Sequence, residues 1–360
     1  MYTIYDYLKY YKDYDLTEKP WNIMDNLLCA CLVYIPAKGF KGTATLDEIY
    51  NRVKDVSVTT KQDFMAPKAK ELICLIHNSK RYENLRFRNF NNRLDNKTQF
   101  GAIVFTIKKI KVISYRGTDK SIIGWQENFR LAYVYPTYTH KLAIDYLKNN
   151  ISVFDKEVYV VGHSKGGNLA MASAMEDNTK RFKRIKNVIK FDGPGFRKEE
   201  FYSSKYKRLS EKLINIVPES SVVGMMLYND NYNVVTSSLK GISAHYPTSW
   251  NCYGSVFIEG KLSKFSKELN TRTTKNVSKI SEESIENAFE SIFKSYENKN
   301  TSKITISLKE ILNLVKTVKN LDSKTAQYIS QILSSMLNTK PISNPLKRRK
   351  KDNMGELEIL

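Results

Sequence analysis

The spacing of apolar positions changes character along the chain. Up to about residue 100 it is helical. Asp25–Tyr34 (DNLLCACLVY) is an apolar run of helical type, and residues 68–79 (KAKELICLIHNS) repeat apolar side chains every three or four positions. Between them, Thr45-Leu-Asp-Glu48 has the form in which a hydroxyl and a carboxylate satisfy the free N–H groups of a helix start, so a short helix opens there. From residue 100 the pattern is that of strands. Phe100–Ile107 (FGAIVFTI) and Lys111–Tyr115 (KVISY) flank a short lysine-rich connection and predict a hairpin. Strand-like and helix-like segments then alternate, with helices over 122–134, 138–149 and 165–175 and strands over 158–161, 187–191 and 213–217. Such alternation predicts an α/β fold with a mostly parallel central sheet and helices on both faces.

After residue 262 the chain turns polar and then helical again. Ser281 precedes Glu282 and Glu283, with Ile285, Phe289, Ile292, Phe293 and Tyr296 on one stripe. Ser307-Leu-Lys-Glu310 opens a second amphipathic helix, and Ile329, Ile332, Leu333 and Met336 mark a third. The stretch from Pro341 reads as a basic, disordered tail. The expected division is a domain over 1–262 that includes the N-terminal helices, a helical region over 263–340, and the tail over 341–360. Residues 196–212, rich in Lys, Tyr and Ser, read either as a lid or as a plain helix.

Composition narrows the class. With 360 residues, 41% of them hydrophobic, the chain can bury a full-sized core. No stretch approaches the 18 uninterrupted apolar residues of a membrane-spanning helix. The opening MYTIYDYLKYYKDYD has no apolar run behind a basic head, which speaks against a cleaved secretion signal. Cys29, Cys31, Cys74 and Cys252 make neither a disulfide framework nor a zinc site and read as buried thiols of a reducing compartment, so a cytoplasmic location is expected. The 58 Lys and Arg against 37 Asp and Glu leave a formal charge of +21. The densest run is Lys180, Arg181, Lys183, Arg184, Lys186 and Lys190, with a second at Lys347–Lys351. This surplus reads either as a solvated surface or as attraction to an anionic membrane surface, acidic lipid or RNA. No specific nucleic-acid-binding motif accompanies it, and oligomeric state is not legible.

The chemistry-bearing signal is Val158-Tyr-Val-Val-Gly162-His-Ser164-Lys-Gly166-Gly167-Asn-Leu-Ala170. It is a strand, then Gly-x-Ser-x-Gly, then a helix rich in small residues. Glycines two before and two after the serine let strand and helix approach while the serine takes a strained conformation, which marks Ser164 as a nucleophile. A base must come from four histidines. His163 adjoins Ser164 with its side chain expected to point away, His77 lies on a helix stripe, and His140 sits at a helix start. His245 (GISAHYPTSW) follows the last predicted core strand, where hydrolases of this architecture keep their histidine. Asp192 follows strand 187–191 and precedes Gly-Pro-Gly, which makes it the leading acid, with Glu219 and Asp230 as alternatives. Tyr115-Arg-Gly-Thr118 ends an earlier strand. There Thr118 is placed to donate its N–H to an oxyanion, with the backbone N–H of Lys165 as second donor. The Lys165 side chain is expected to point outward. No phosphate loop, zinc motif or dinucleotide fingerprint competes, and the chemistry needs no metal or cofactor.

Tyr-Arg-Gly-Thr118 with Ser121-Ile-Ile-Gly-Trp125, and Gly-His-Ser164-Lys-Gly-Gly, resemble the two signatures of class 3 (fungal-type) lipases. The chain resembles more closely a bacterial branch of lipase-like α/β-hydrolases. The similarity lies in Gly-His-Ser-Lys-Gly-Gly-Asn-Leu-Ala170, Phe-Asp192-Gly-Pro-Gly-Phe196, Val-Pro218-Glu-Ser-Ser-Val-Val-Gly224 and the segment around His245–Trp250. The resemblance implies an α/β-hydrolase fold and a serine esterase or lipase acting on a small-molecule or lipid ester. It implies Ser164 as nucleophile, His245 as base and Thr118 as oxyanion residue. Two positions depart from the class 3 pattern: Asn215 stands where the acid is placed there, and Lys165 where an apolar residue is usual. The alternative is a non-catalytic hydrolase fold that binds through its basic surface or C-terminal helices.

Overall fold

The computed structural model describes residues 2–59, 63–95, 98–119, 121–277 and 281–294, together with Ser330. The chain opens with α1 (Ile4–Tyr11) and α2 (Ile23–Leu32), then β1 (Thr43–Thr45), α3 (Leu46–Val53) and α4 (Ala66–Ile76). Reciprocal caps start α2 and α3, the latter at the Thr45 position that the sequence marks. Glu48 donates its N–H to the Thr45 hydroxyl at 3.1 Å, and the Glu48 carboxylate accepts the Thr45 N–H at 2.7 Å. Asn22 and Asp25 do the same for α2.

The strands β2 (Arg86–Leu94), β3 (Gln99–Ile107) and β4 (Ile110–Tyr115) form an antiparallel meander. Next come α5 (Ile122–Arg130), α6 (Tyr138–Asn150), β5 (Glu157–His163), α7 (Lys165–Met175) and β6 (Ile185–Phe191). After them lie α8 (Lys198–Phe201), α9 (Ser204–Ser210), β7 (Leu213–Pro218) and β8 (Tyr232–Val235). Among the described residues these strands make one eight-stranded sheet in plain sequence order, β1 to β8, parallel from β4 onward.

That order settles the layering. Each crossover moves one strand in the same direction, so connections of one hand bring their helices to one face. On that face, Ala143 and Leu147 of α6, Leu169 to Met175 of α7, and Tyr206 and Leu209 of α9 pack against Val104, Ile113, Val160 and Val188. The opposite face falls to the N-terminal helices. Leu27, Leu28 and Cys31 of α2, with Leu72 and Ile76 of α4, cover Phe105, Val112, Val161 and Ile189. The alternation of strand residues between the two clusters is the pleat itself. The fold is of the α/β-hydrolase type, with N-terminal helices before a mostly parallel sheet and helices appended after it.

Several elements go beyond the sequence expectation: β1, β2, β8, a two-stranded pair β9 (Cys252–Tyr253) and β10 (Val256–Phe257), and α10 (Lys264–Val277). The 196–212 segment is two short helices packed behind α7, not a cover of the site. The first expected C-terminal helix is α11 (Glu282–Lys294). The second and, apart from Ser330, the third lie outside the described residues, as does the tail. Cys74 is exposed on α4 rather than buried, while the other three cysteines are buried and free. Among the described residues no helix is long and apolar enough to cross a membrane.

Candidate active site

Ser164 caps α7 at the carboxyl end of β5 with φ 59° and ψ −134°. A non-glycine residue there stores roughly 1–3 kcal/mol of strain, so surrounding contacts must hold it. Its N–H donates to the Phe191 carbonyl at 3.0 Å, and its carbonyl accepts from Gly167 at 2.9 Å. A Cβ at Gly162 would run into the Gly166 carbonyl, which is the close strand–helix approach that the flanking glycines permit. A Cβ at Gly117 would meet the Tyr34 hydroxyl, the His163 carbonyl and the Ser164 Cβ, so the Arg116–Thr118 turn lies directly against Ser164.

Asp192 ends β6 in the left-handed region, with φ 46° and no solvent exposure. Its Oδ2 lies 2.6 Å from His245 Nδ1. Its Oδ1 accepts the Ser221 hydroxyl and, at 3.1 Å, the Gly224 N–H. With Nδ1–H directed at the carboxylate, the neutral imidazole keeps its lone pair on Nε2. The other acids are engaged elsewhere. Asp230 accepts the Tyr206 hydroxyl at 2.8 Å, Glu219 packs along Gly260, and Asn215 donates to the Asp230 carbonyl at 2.7 Å. His77 pairs with Asp47 at 3.0 Å and stacks on Tyr50, and His140 Nε2 lies 2.6 Å from Asn168 Oδ1.

His163 joins three parts of the site. Its Nε2–H donates to the His245 carbonyl at 2.8 Å, and its Nδ1 lies 3.2 Å from the Tyr34 hydroxyl. That hydroxyl also accepts the Gly117 N–H at 2.8 Å. Burial, and then the neighbouring His245, hold the His163 imidazole well below its ordinary range, so it stays neutral with the proton on Nε2.

The Lys165 side chain corrects the expectation. It is buried, not outward: Nζ donates to the Gln99 carbonyl at 3.0 Å, to Gln99 Oε1 at 2.7 Å and to Glu127 Oε2 at 3.0 Å. The first turn of α7 lies beneath β3 and α5, where these acceptors wait. Gln99 in turn donates to the Gly117 carbonyl at 3.1 Å, so the Lys165 and Thr118 segments share one support. Burial raises the Glu127 carboxyl above its usual range, and Lys165 opposes that shift. The Thr118 hydroxyl donates to Asn128 Oδ1 at 2.6 Å. Lys190 leaves the basic run entirely. It is fully buried, bonded to Asn229 Oδ1, and pushed down to about 7 by burial. Asn229 also donates to the Gly224 carbonyl at 2.9 Å, which steadies the loop bonded to Asp192.

Thr118, Ser164, Lys165 and His245 border one cavity of about 240 Å³. Its remaining wall is mostly apolar: Trp125 and Phe129 of α5, Leu131, Val223, and Ile285 and Phe289 of α11. Phe129 and Phe289 stack with ring centroids 4.3 Å apart, and Arg130 clamps Glu290 of α11 at 2.9 Å. Among the described residues no cluster of His, Cys, Asp or Glu has the makings of a metal site.

Sequence reading passes over Tyr34, Gln99 and Glu127, which reach the site from distant elements. Ser221 and Gly224 had a signal, since they lie in the Val-Pro-Glu-Ser-Ser-Val-Val-Gly segment on which the sequence resemblance partly rests.

None of the curated proteins matches the chain. Among solved structures it is similar to the Rhizomucor miehei lipase propeptide complex, at 18% identity over 42% of this chain and 57% of that one, with a TM-score of 0.31. It is also similar to a fungal lipase–inhibitor complex, at 17% identity over 45% and 69% of the two chains, TM-score 0.30. M37 lipase matches at 14% identity over 88% and 94%, TM-score 0.35. The match thus spans 57% of the length of the Rhizomucor miehei chain. The model of one family, described as Mbeg1-like, matches residues 76–294, from the end of α4 through β2–β10 to the end of α11. The chain therefore belongs to the Mbeg1-like family of bacterial lipase-like α/β-hydrolases.

Proposed function

We propose that the protein is a serine esterase that cleaves carboxyl esters with an apolar acyl group. The observation that carries this reading is the buried Asp192 carboxylate, 2.6 Å from His245 Nδ1, with His245 and the strained Ser164 bordering one apolar cavity. In this reading His245 Nε2 takes the Ser164 proton as Oγ attacks the ester carbonyl. The oxyanion is held by the N–H groups of Thr118 and Lys165, each worth roughly 3–4 kcal/mol when preorganised. Collapse expels the alcohol, which receives the proton from His245, and leaves Ser164 acylated. Water, deprotonated by the same imidazole, then releases the acid and restores Ser164. Asp192 keeps the proton on Nδ1 and stabilises the imidazolium of each step. The Lys165 amine has three partners of its own, so its role is to hold its backbone N–H in place rather than to attract an anionic substrate.

The test is labelling of the purified chain with a fluorophosphonate, beside Ser164→Ala and His245→Ala, followed by ester hydrolysis across acyl chain lengths. The expected result is a label on Ser164 that is absent in the first variant and strongly slowed in the second, with turnover on at least one apolar ester. A folded wild type that neither labels nor turns over would overturn the reading.

A further inference from the structure

The end of the sheet opposite Ser164 carries a different chemistry. Val158 near the start of β5 pairs with Ile185 at the start of β6. The loop Ile151–Lys156 therefore lies beside the turn Lys180–Arg184. Contacts made by their flanks join the two. Arg181 donates to the Lys148 carbonyl at 3.1 Å, and Lys186 pairs with Glu157 at 2.7 Å. On the β4 side Lys111 holds Asp155 at 2.6 Å and the Asn150 carbonyl at 2.9 Å. The turn is anchored by Phe182, buried beneath the Arg208 guanidinium at 4.5 Å and the Lys212 amine at 5.1 Å.

On this edge Lys148, Lys156, Lys180, Lys183 and Arg184 are exposed. The acids within the edge, Asp155 and Glu157, are ion-paired, while Glu211 at the foot of β7 and Asp145 a turn up α6 are exposed. Within the loop Val153 is 38% exposed and Phe154 87% exposed. An aromatic ring this bare, on the same edge as cations that form no ion pair among the described residues, is a combination that neither solvation nor stability accounts for.

We infer that this edge docks the protein on an anionic lipid bilayer. Lysines and arginines near such a surface gain electrostatic attraction that falls off within a Debye length. An apolar side chain among them enters the interface and adds hydrophobic burial. A nucleic acid would engage the cations but leave Phe154 in water, since a single exposed ring offers no platform on which successive bases stack. The seven residues of β5 separate the edge from Ser164, roughly 20 Å at a strand's rise of about 3.3 Å per residue. Docking therefore leaves Ser164 on the far side, and the inference stands apart from the esterase reading.

The test uses the full chain in co-sedimentation with vesicles of phosphatidylcholine, with and without phosphatidylglycerol, at low and high salt. Binding is expected only to the anionic vesicles and only at low salt. It should be unchanged in Ser164→Ala and lost when Lys180→Glu, Lys183→Glu and Arg184→Glu are combined. Phe154→Ser should weaken binding by about tenfold or more without altering its salt dependence, since it removes burial and not charge. All these side chains are exposed, and an unchanged melting temperature confirms folding. Equal binding to neutral vesicles, no effect of Phe154→Ser, or retention by the triple variant would overturn the inference. So would loss of binding only when Lys347–Lys351 are neutralised. RNA that displaces the vesicles, binding equally well to Phe154→Ser, would make the surface a nucleic-acid one instead.

Discussion

Two of the buried polar clusters among the described residues differ in where they end. In the N-terminal layer Asp25 accepts Arg81 through both oxygens, at 2.6 and 2.9 Å, together with the hydroxyls of Tyr82 at 2.6 Å and Tyr7 at 3.0 Å. Neither charged side chain has any exposure. The cluster closes on itself and ties α1, α2 and the segment after α4 together. Beside Ser164, Lys165 meets Glu127 and Gln99, and the Tyr34–His163 link meets Gly117 and His245, with an open cavity next to them. Both clusters satisfy their charges, as buried charges must be. One stabilises a layer, while the other fixes the positions of groups that border a cavity.

The difference is broken most severely at the site. Asp192→Asn should lower turnover by roughly 10⁴-fold, because the amide no longer holds the His245 proton on Nδ1, while urea unfolding shifts little. A modest loss would mean that His245 does not act as the base. The matching change in the closed cluster is Asp25→Ala, which leaves Arg81 buried without its carboxylate. It should cost about 3–5 kcal/mol of stability, read from denaturant unfolding, and leave kcat of the folded fraction near wild type. If kcat fell as steeply as stability, the two clusters would not be separable.

Acid sharpens the comparison. Burial lowers His140 from 6.5 to about 4, and His163 is depressed as well. A depressed pKa means that the folded state binds fewer protons than the unfolded one. The stability is then full above about pH 6.5 and is lost as pH falls toward 4, by about 3 kcal/mol for His140 alone. Urea midpoints across this window should fall steadily, and His140→Gln, which keeps a donor for Asn168, should flatten the slope. A wild-type midpoint constant from pH 7 to 4.5 would contradict it. The smallest expected effect is that of Tyr34→Phe, which removes one hydroxyl linking the N-terminal layer to Gly117 and His163. At about 0.5–1.5 kcal/mol for a hydrogen bond, kcat should fall by roughly three- to tenfold with KM unchanged. A rise in KM with constant kcat would place the hydroxyl's effect in binding instead.

What was legible in the sequence follows from how local the cause is. β3 is buried along nearly its whole length, so its unbroken apolar run announces it. β2 (RFRNFNNRL) buries only Phe87 and Phe90 and carries a bulge between Arg88 and Asn91, which blurs its period. The Ser164 turn is written in glycine spacing because its constraint is steric and acts within a few residues. Chain order left Asp192, Glu219 and Asp230 open as partners of His245, because all three follow strand ends, and only tertiary packing brings Asp192 to it. The burial of Lys165 was not legible, because Gln99 and Glu127, its acceptors, belong to elements fixed only by tertiary packing. Tyr34 was hidden for the same reason: at the end of an apolar helix it reads as one more core residue until the helix is laid over the sheet.

The His163 link has a consequence for the nascent chain. Its hydroxyl partner, Tyr34, is synthesised before it, whereas the His245 carbonyl that His163 holds emerges later than both. At about 5–20 residues per second the interval is on the order of tens of seconds. For the first part of it, α2 offers an apolar flank before β3 to β6, the strands it covers, have been made. The contacts of His163 are completed only when the end of α2 and the His245 loop close on it from either side.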